Sequence, residues 1–135
     1  MIKAADAIAA ARALKGTSYE VIDCINLIKK IIRTAPGGVS GYTTAGTNAL
    51  WNSDANSAKY RDLTWKQEGI HGAKPGMLAF MGVHTGDTNH VGIVTEQGTV
   101  VHSSKSSGKV VETLLDGSAG WNGLGRHRYI EVAEE

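Results

Sequence analysis

One cysteine and five histidines carry the sharpest chemistry of this 135-residue chain: Cys24, and His71, His84, His90, His102 and His127. A thiol attacks a carbonyl only as its thiolate, so a nucleophilic cysteine needs surroundings that favour the anion. Cys24 follows Asp23, a good N-cap residue, and therefore falls in the first turn of a helix. Unpaired backbone N–H groups and the positive end of the helix dipole gather there, and both favour an anion or a developing oxyanion. A plain core thiol would fit the same helix equally well.

The histidines separate those two readings. Asn89 to Glu96 reads as one strand and Thr99 to Ser103 as its return. A three-residue loop, Glu96-Gln97-Gly98 with Gly98 left-handed, sets Thr95 opposite Thr99 and Gly92 opposite His102. Strand side chains alternate, so His90 shares a face with Gly92 and becomes a diagonal neighbour of His102, roughly 7–8 Å away between Cα atoms. One imidazole can then orient the other, and Gly92 leaves room between them. A two-residue turn would set the rings on opposite faces. If the sheet face that carries His90 packs over the tip of the Cys24 helix, the three residues make a nucleophile, a base and an orienting group. Zinc is the rival chemistry. Cys24, His84, His90 and His102 are acceptable ligand types, but their spacing matches no compact zinc motif. The nucleophile-and-base reading needs no metal and no organic cofactor.

Several elements must position these groups. Met1 to Leu14 has a helical pattern, stopped at Lys15-Gly16. Asp23 to Arg33 is the clearest helix, with Cys24, Leu27, Ile28, Ile31 and Ile32 along one stripe and Pro36-Gly37-Gly38 as its end. Val39 to Gly72 reads as a long loop with short helices around Asn48 to Trp51 and Ser57 to Trp65. Strands are expected over Met77 to Met81, His90 to Thr95, Thr99 to Ser103, Lys109 to Leu114 and Gly125 to Val132. Helices first and strands after predict a single α+β domain, with N-terminal helices packed on an antiparallel sheet.

Composition limits the partners. Lys plus Arg number 14 and Asp plus Glu number 13, which gives no electrostatic pull toward nucleic acid or an anionic membrane. A lone cysteine forms no intrachain disulfide. No apolar run approaches a bilayer-spanning length, and Lys3, Asp6 and Arg12 break the N-terminal stretch, so a signal peptide is not expected. Synthesis in the cytoplasm followed by a non-standard route outward is the corresponding expectation.

Four motifs then stand in order: Asp23-Cys24, Pro75-Gly76-Met77-Leu78-Ala79-Phe80, His90-Val91-Gly92-Ile93-Val94, and Val100-Val101-His102-Ser103-Ser104. Together they resemble the NlpC-type cell-wall peptidases, a branch of the papain-like cysteine peptidases, from Tyr19 to about Arg128. The short gap from Tyr19 to Cys24 looks most like members from phages and prophages of Gram-positive bacteria. The resemblance implies a papain-like fold, with Cys24 as nucleophile, His90 as base and His102 as third member. It implies that Tyr19 assists the oxyanion, and that the substrate is a peptidoglycan stem peptide, usually cut between D-γ-glutamyl and a diamino acid. Related amidases cut the sugar–peptide amide or a crossbridge, and a phage tail module without activity is the reading from another class. Ile25-Asn26 and Met77 replace the family's usual Ser-Gly and Asp, which loosens the subfamily. Asn48, Trp51 and Ser103 are candidate substrate contacts, with Trp65 as a further groove aromatic; Trp121 and Asn122 precede the last expected strand and are candidates to close the site.

Overall fold

A computed structural model describes residues 1–134. The elements run β1 (Ile2–Lys3), α1 (Ala4–Arg12), α2 (Cys24–Thr34), α3 (Thr47–Trp51), β2 (Leu63–Glu68), β3 (Leu78–Met81), β4 (His90–Val94), β5 (Thr99–Ser104), β6 (Lys109–Leu114), β7 (Trp121–His127) and β8 (Ile130–Glu131). Strands β2 to β7 form one antiparallel sheet in the order β2-β7-β3-β4-β5-β6, and β1 pairs in parallel with β8. This is the α+β arrangement expected, with the helices packed on the sheet.

The apolar stripe of α2 is wholly inside: Cys24, Leu27, Ile28, Ile31 and Ile32 are all buried. It packs on the sheet face formed by Leu78, Phe80, Val91, Ile93, Val101 and Val110. Each of the four aliphatic side chains on that stripe contributes about 1.5–3 kcal/mol on burial. The opposite face carries a smaller cluster of Ala79, Val94, Val100, Trp121 and Leu124. Glu112 on β6 fastens α1 to the sheet. It accepts hydrogen bonds from Arg12 at 3.1 and 3.0 Å, from Lys15 at 3.1 Å and from Thr99 at 2.6 Å.

Three expectations about the elements need correction. The helix expected over Ser57 to Trp65 is one 3-10 turn, Ala58–Tyr60, followed by edge strand β2. Leu63 is buried there against Gly125 and Phe80, and that contact exists only if the segment extends beside β7. The first residues of the expected N-terminal helix instead form β1, because Ile2 pairs with Ile130 and is fully buried. The last strand is two strands, and Trp121 and Asn122 open β7 instead of preceding it.

The β4–β5 hairpin has the expected form. Thr95 N–H donates to Thr99 O at 2.9 Å, Gly98 is left-handed at φ 70°, and the register pairs Ile93 with Val101. Continuing that register sets Gly92 opposite His102. A Cβ on Gly92 would lie 2.5 Å from Val100 Cγ1, 2.8 Å from Val101 O and 2.9 Å from His102 Cβ. Gly92→Ala is therefore expected to cost about 1–3 kcal/mol by overpacking. A lowered midpoint in denaturant unfolding checks this; an unchanged midpoint would show that β5 yields freely.

Candidate active site

Helix α2 begins as its sequence dictates. The Asp23 carboxylate accepts the Asn26 N–H at 3.0 Å, and the Asp23 carbonyl accepts the Leu27 N–H at 2.9 Å. Cys24 is thereby held in the first turn, close to the amide donors of the helix start.

How its sulfur meets the sheet differs from expectation. His90, Gly92 and His102 lie on the sheet face that carries Trp121, while α2 packs on the face of Val91, Ile93 and Val101. The face bearing the imidazoles therefore does not cover the helix tip. The ladder pairs of β4 and β5 are Val94 with Val100 and Ile93 with Val101, and Gly92 still lies close against His102 beyond them. The tip of α2 meets the sheet where β4 begins and β5 ends. Cys24 Sγ lies 4.0 Å from Asn89 O at the start of β4, and Ser103 Oγ on β5 donates to Ile22 O at 2.5 Å. The sulfur thus lies against the residue that precedes His90, where β4 begins.

The two imidazoles are joined. His90 Nε2 and His102 Nδ1 are 2.7 Å apart, with ring centroids at 4.9 Å and nearly perpendicular planes. His102 Nε2 continues to Thr113 Oγ1 at 2.9 Å. Trp121 packs against both rings, at 5.3 Å from His90 and 5.1 Å from His102. Beside them a cleft of about 660 Å³ is bounded by Met81, Lys105, Thr113, Asp116 and Trp121.

Burial governs the charge states. It pushes the Cys24 thiol up, against the lowering effect of hydrogen bonds from Thr47 and the Val91 and Ile25 amides. Burial lowers His90, and burial together with His90 lowers His102 to about 4. The resting pair is accordingly a neutral thiol and neutral imidazoles. The helix start alone does not make a standing thiolate, as Cys24's position in the first turn had led one to expect.

The other candidates fall into three groups. Tyr19 is half-buried, and its phenol is raised by burial and by the nearby Cys24 and Asp23, which puts it within electrostatic reach of the sulfur. Asn48 is exposed and braces the loop before β4: its Nδ2 donates to Asp87 at 2.8 Å and its Oδ1 accepts the Thr88 N–H at 2.7 Å. Ser103 and Trp51 are not available to a substrate. Ser103 is fully buried and ties down the chain before α2, and Trp51 is buried against Phe80 at 5.0 Å between centroids. Trp65 sits on edge strand β2 under the Arg126 guanidinium. His84 stands apart, 3.3 Å from Glu68, and among the described residues no three His, Cys, Asp or Glu gather as metal ligands.

Two contributors escaped the sequence. Thr47 places Oγ1 3.7 Å from Cys24 Sγ, and Thr113 ends the imidazole chain; Trp121, a candidate to close the site, packs on both rings. For Thr113 a signal existed, since its register opposite Val100 puts it on the face of His102. For Thr47 none did, because a loop brings it in.

Comparison with known proteins agrees with this fold. A family model described as the NlpC/P60 family matches residues 13–123. No curated protein sequence matches the chain significantly. Among solved structures, the chain is similar to the NlpC/p60 domain of the peptidoglycan hydrolase SagA. That likeness has a TM-score of 0.58 and 22% identity, and covers 90% of this chain and 97% of that one. It is also similar to the peptidoglycan hydrolase RipB from Mycobacterium tuberculosis, with TM-score 0.65, 20% identity, and 95% and 65% of the two chains covered. An NlpC/P60 family protein from Bacillus cereus gives 0.64 and 18%, with 95% of this chain but 40% of that one covered. With the four motifs in order, the matching fold and a family model over most of its length, the chain belongs to the NlpC/P60 family, the cell-wall cysteine peptidases that its sequence resembles.

Proposed function

We propose that this protein hydrolyses an amide bond in peptidoglycan stem peptides, between D-γ-glutamyl and a diamino acid, with Cys24, His90 and His102 as its working groups. The observation that carries the reading is the 2.7 Å bond between His90 Nε2 and His102 Nδ1, together with a thiol at a helix tip 4.0 Å from the carbonyl of Asn89, the residue before His90.

The proton route follows from the bonding. A base at His90 needs an unprotonated Nδ1, since Nε2 is occupied by His102. That requires His90 Nε2–H to donate to His102 Nδ1, and His102 Nε2–H in turn to donate to Thr113 Oγ1. Thr113 Oγ1 can accept that hydrogen bond, so the chain accommodates the tautomer in which His90 can accept a proton. As the thiol approaches the substrate carbonyl, its proton passes to His90 Nδ1 and the S–C bond forms. The carbonyl π pair moves to oxygen, facing the Cys24 N–H and Tyr19. The tetrahedral intermediate collapses as His90 protonates the departing amine. Water, with its proton taken by His90, then releases the thioester. His102 holds the imidazolium and its orientation during both steps. Burial keeps His90 and His102 neutral at pH 7, the state this sequence needs.

Digestion of defined muropeptides, with the new termini identified by mass spectrometry, tests the reading. A new amino terminus on the diamino acid is expected. A free lactyl-muramic acid would assign the protein to the amidases, and cleavage between stems would make it a crossbridge endopeptidase. No product from any muropeptide would leave a non-catalytic module.

A further inference from the structure

One short helix in the long loop touches both halves of the site. Thr47, the first residue of α3, lies 3.7 Å through Oγ1 from Cys24 Sγ. Its neighbour Asn48 grips the loop before β4 at Asp87 and at the Thr88 N–H, two residues ahead of His90. Adjacent residues on one turn therefore fix the nucleophile and the approach to the base. The Asn52 side chain donates to Asn48 O at 3.0 Å, and Leu50 and Trp51 anchor the turn in the core, so the hydroxyl is held on a seated element.

We propose that Thr47 is a catalytic residue of this site, its hydroxyl donating a hydrogen bond to the Cys24 sulfur as negative charge develops there, and that Asn48 is a positioning residue which ties that hydroxyl to the His90 loop. The inference rests on the peptidase reading for its place in turnover, but not for its effect on the thiol. A hydroxyl can donate to a thiolate or accept from a thiol, so Thr47 stays bonded through the transfer. The Cys24 proton goes to His90, the sulfur acquires the charge, and the Thr47 hydrogen remains on its own oxygen throughout. Charge-assisted bonds exceed neutral ones, so the contact strengthens as the thiolate forms. In a largely buried site with few other donors, one such bond alters reactivity measurably. The Val91 and Ile25 amides are the others.

The test compares Thr47→Val, which keeps the shape and loses the hydroxyl, with Thr47→Ser, which keeps the hydroxyl. Rates of Cys24 alkylation by iodoacetamide are followed from pH 5 to 10, with circular dichroism confirming the fold. Thr47→Val is expected to move the alkylation midpoint up by roughly one pH unit, and turnover on muropeptides to fall roughly tenfold. Thr47→Ser is expected to follow the native profile. Thr47→Ala repeats the first comparison should the valine disturb α3. A native alkylation profile in folded Thr47→Val or Thr47→Ala would overturn the proposal. If the native protein cleaves no muropeptide while Thr47→Val still shifts the profile, the peptidase reading falls and the bond to sulfur stands.

Discussion

Cys24→Ala is expected to abolish cleavage of peptidoglycan peptides while leaving the protein folded. The side chain is 8% exposed and packs at the end of the α2 stripe, so losing one sulfur atom there costs only about 1 kcal/mol. Loss of turnover should be far larger, at least about 10⁴-fold, because no other group can form the covalent intermediate. His102→Ala supplies the companion result. It keeps the thiol and His90 but removes the acceptor that fixes His90 Nε2–H, so a smaller loss of about 10²–10⁴-fold is expected. The pair separates a nucleophile from an orienting group. Muropeptide digestion monitored by chromatography reads both, with thermal unfolding as the control. Retained digestion by folded Cys24→Ala would end the covalent mechanism.

Much of this site was legible because its information is local. Asp23 before a stripe at 24, 27, 28, 31 and 32 specifies a capped helix, and Glu96-Gln97-Gly98 specifies a hairpin loop. From those alone His90 and His102 fall on one face, and the 2.7 Å bond follows. What the sequence did not display is which sheet face α2 covers. Alternation puts the imidazoles on the face away from α2, and the helix tip touches the sheet at Asn89 O and through Ser103, contacts that no local pattern announces. Ser103 shows the same limit. Its place in a motif beside His102 suggested substrate, yet alternation turns it inward to Ile22 O. Trp51 departs from its expected place in a groove for a similar reason: the long-range packing that buries it against Phe80 is invisible in sequence. The misread Ser57 to Trp65 segment is strand at its end because β7 offers it a partner, which local propensity does not record.

Acid should unfold this protein well before it unfolds an ordinary domain. His127 is 1% exposed, 3.0 Å from the Tyr42 hydroxyl through Nε2, and accepts the Tyr129 N–H at Nδ1. Burial, with the Arg128 charge, lowers it from 6.5 to about 3. His102, also buried, is lowered from 6.5 to about 4. In both cases the folded value lies below that of the unfolded chain, so the unfolded chain binds protons first as pH falls. Stability is full above about pH 6.5, declines below it, and stops declining only near the folded values. At 1.36 kcal/mol per unit, the two sites withdraw on the order of 3–5 kcal/mol each. Glu112, held down to about 2 by the Arg12 and Thr99 hydrogen bonds, adds a loss in the same direction below its ordinary 4.5. Asp62, raised by burial and bonded to Tyr42 and Arg128, opposes the trend because it takes up a proton more readily when folded. The sum is comparable with the entire stability of a small domain, roughly 5–15 kcal/mol. Tryptophan fluorescence and circular dichroism should therefore report cooperative unfolding with a midpoint between about pH 4 and 6. The loss of peptidase activity should track that transition, since burial also holds His90 below its ordinary value. A fold intact at pH 3 would mean that His127 and His102 accept protons in place, and the picture of two imidazoles locked neutral by burial would have to be abandoned.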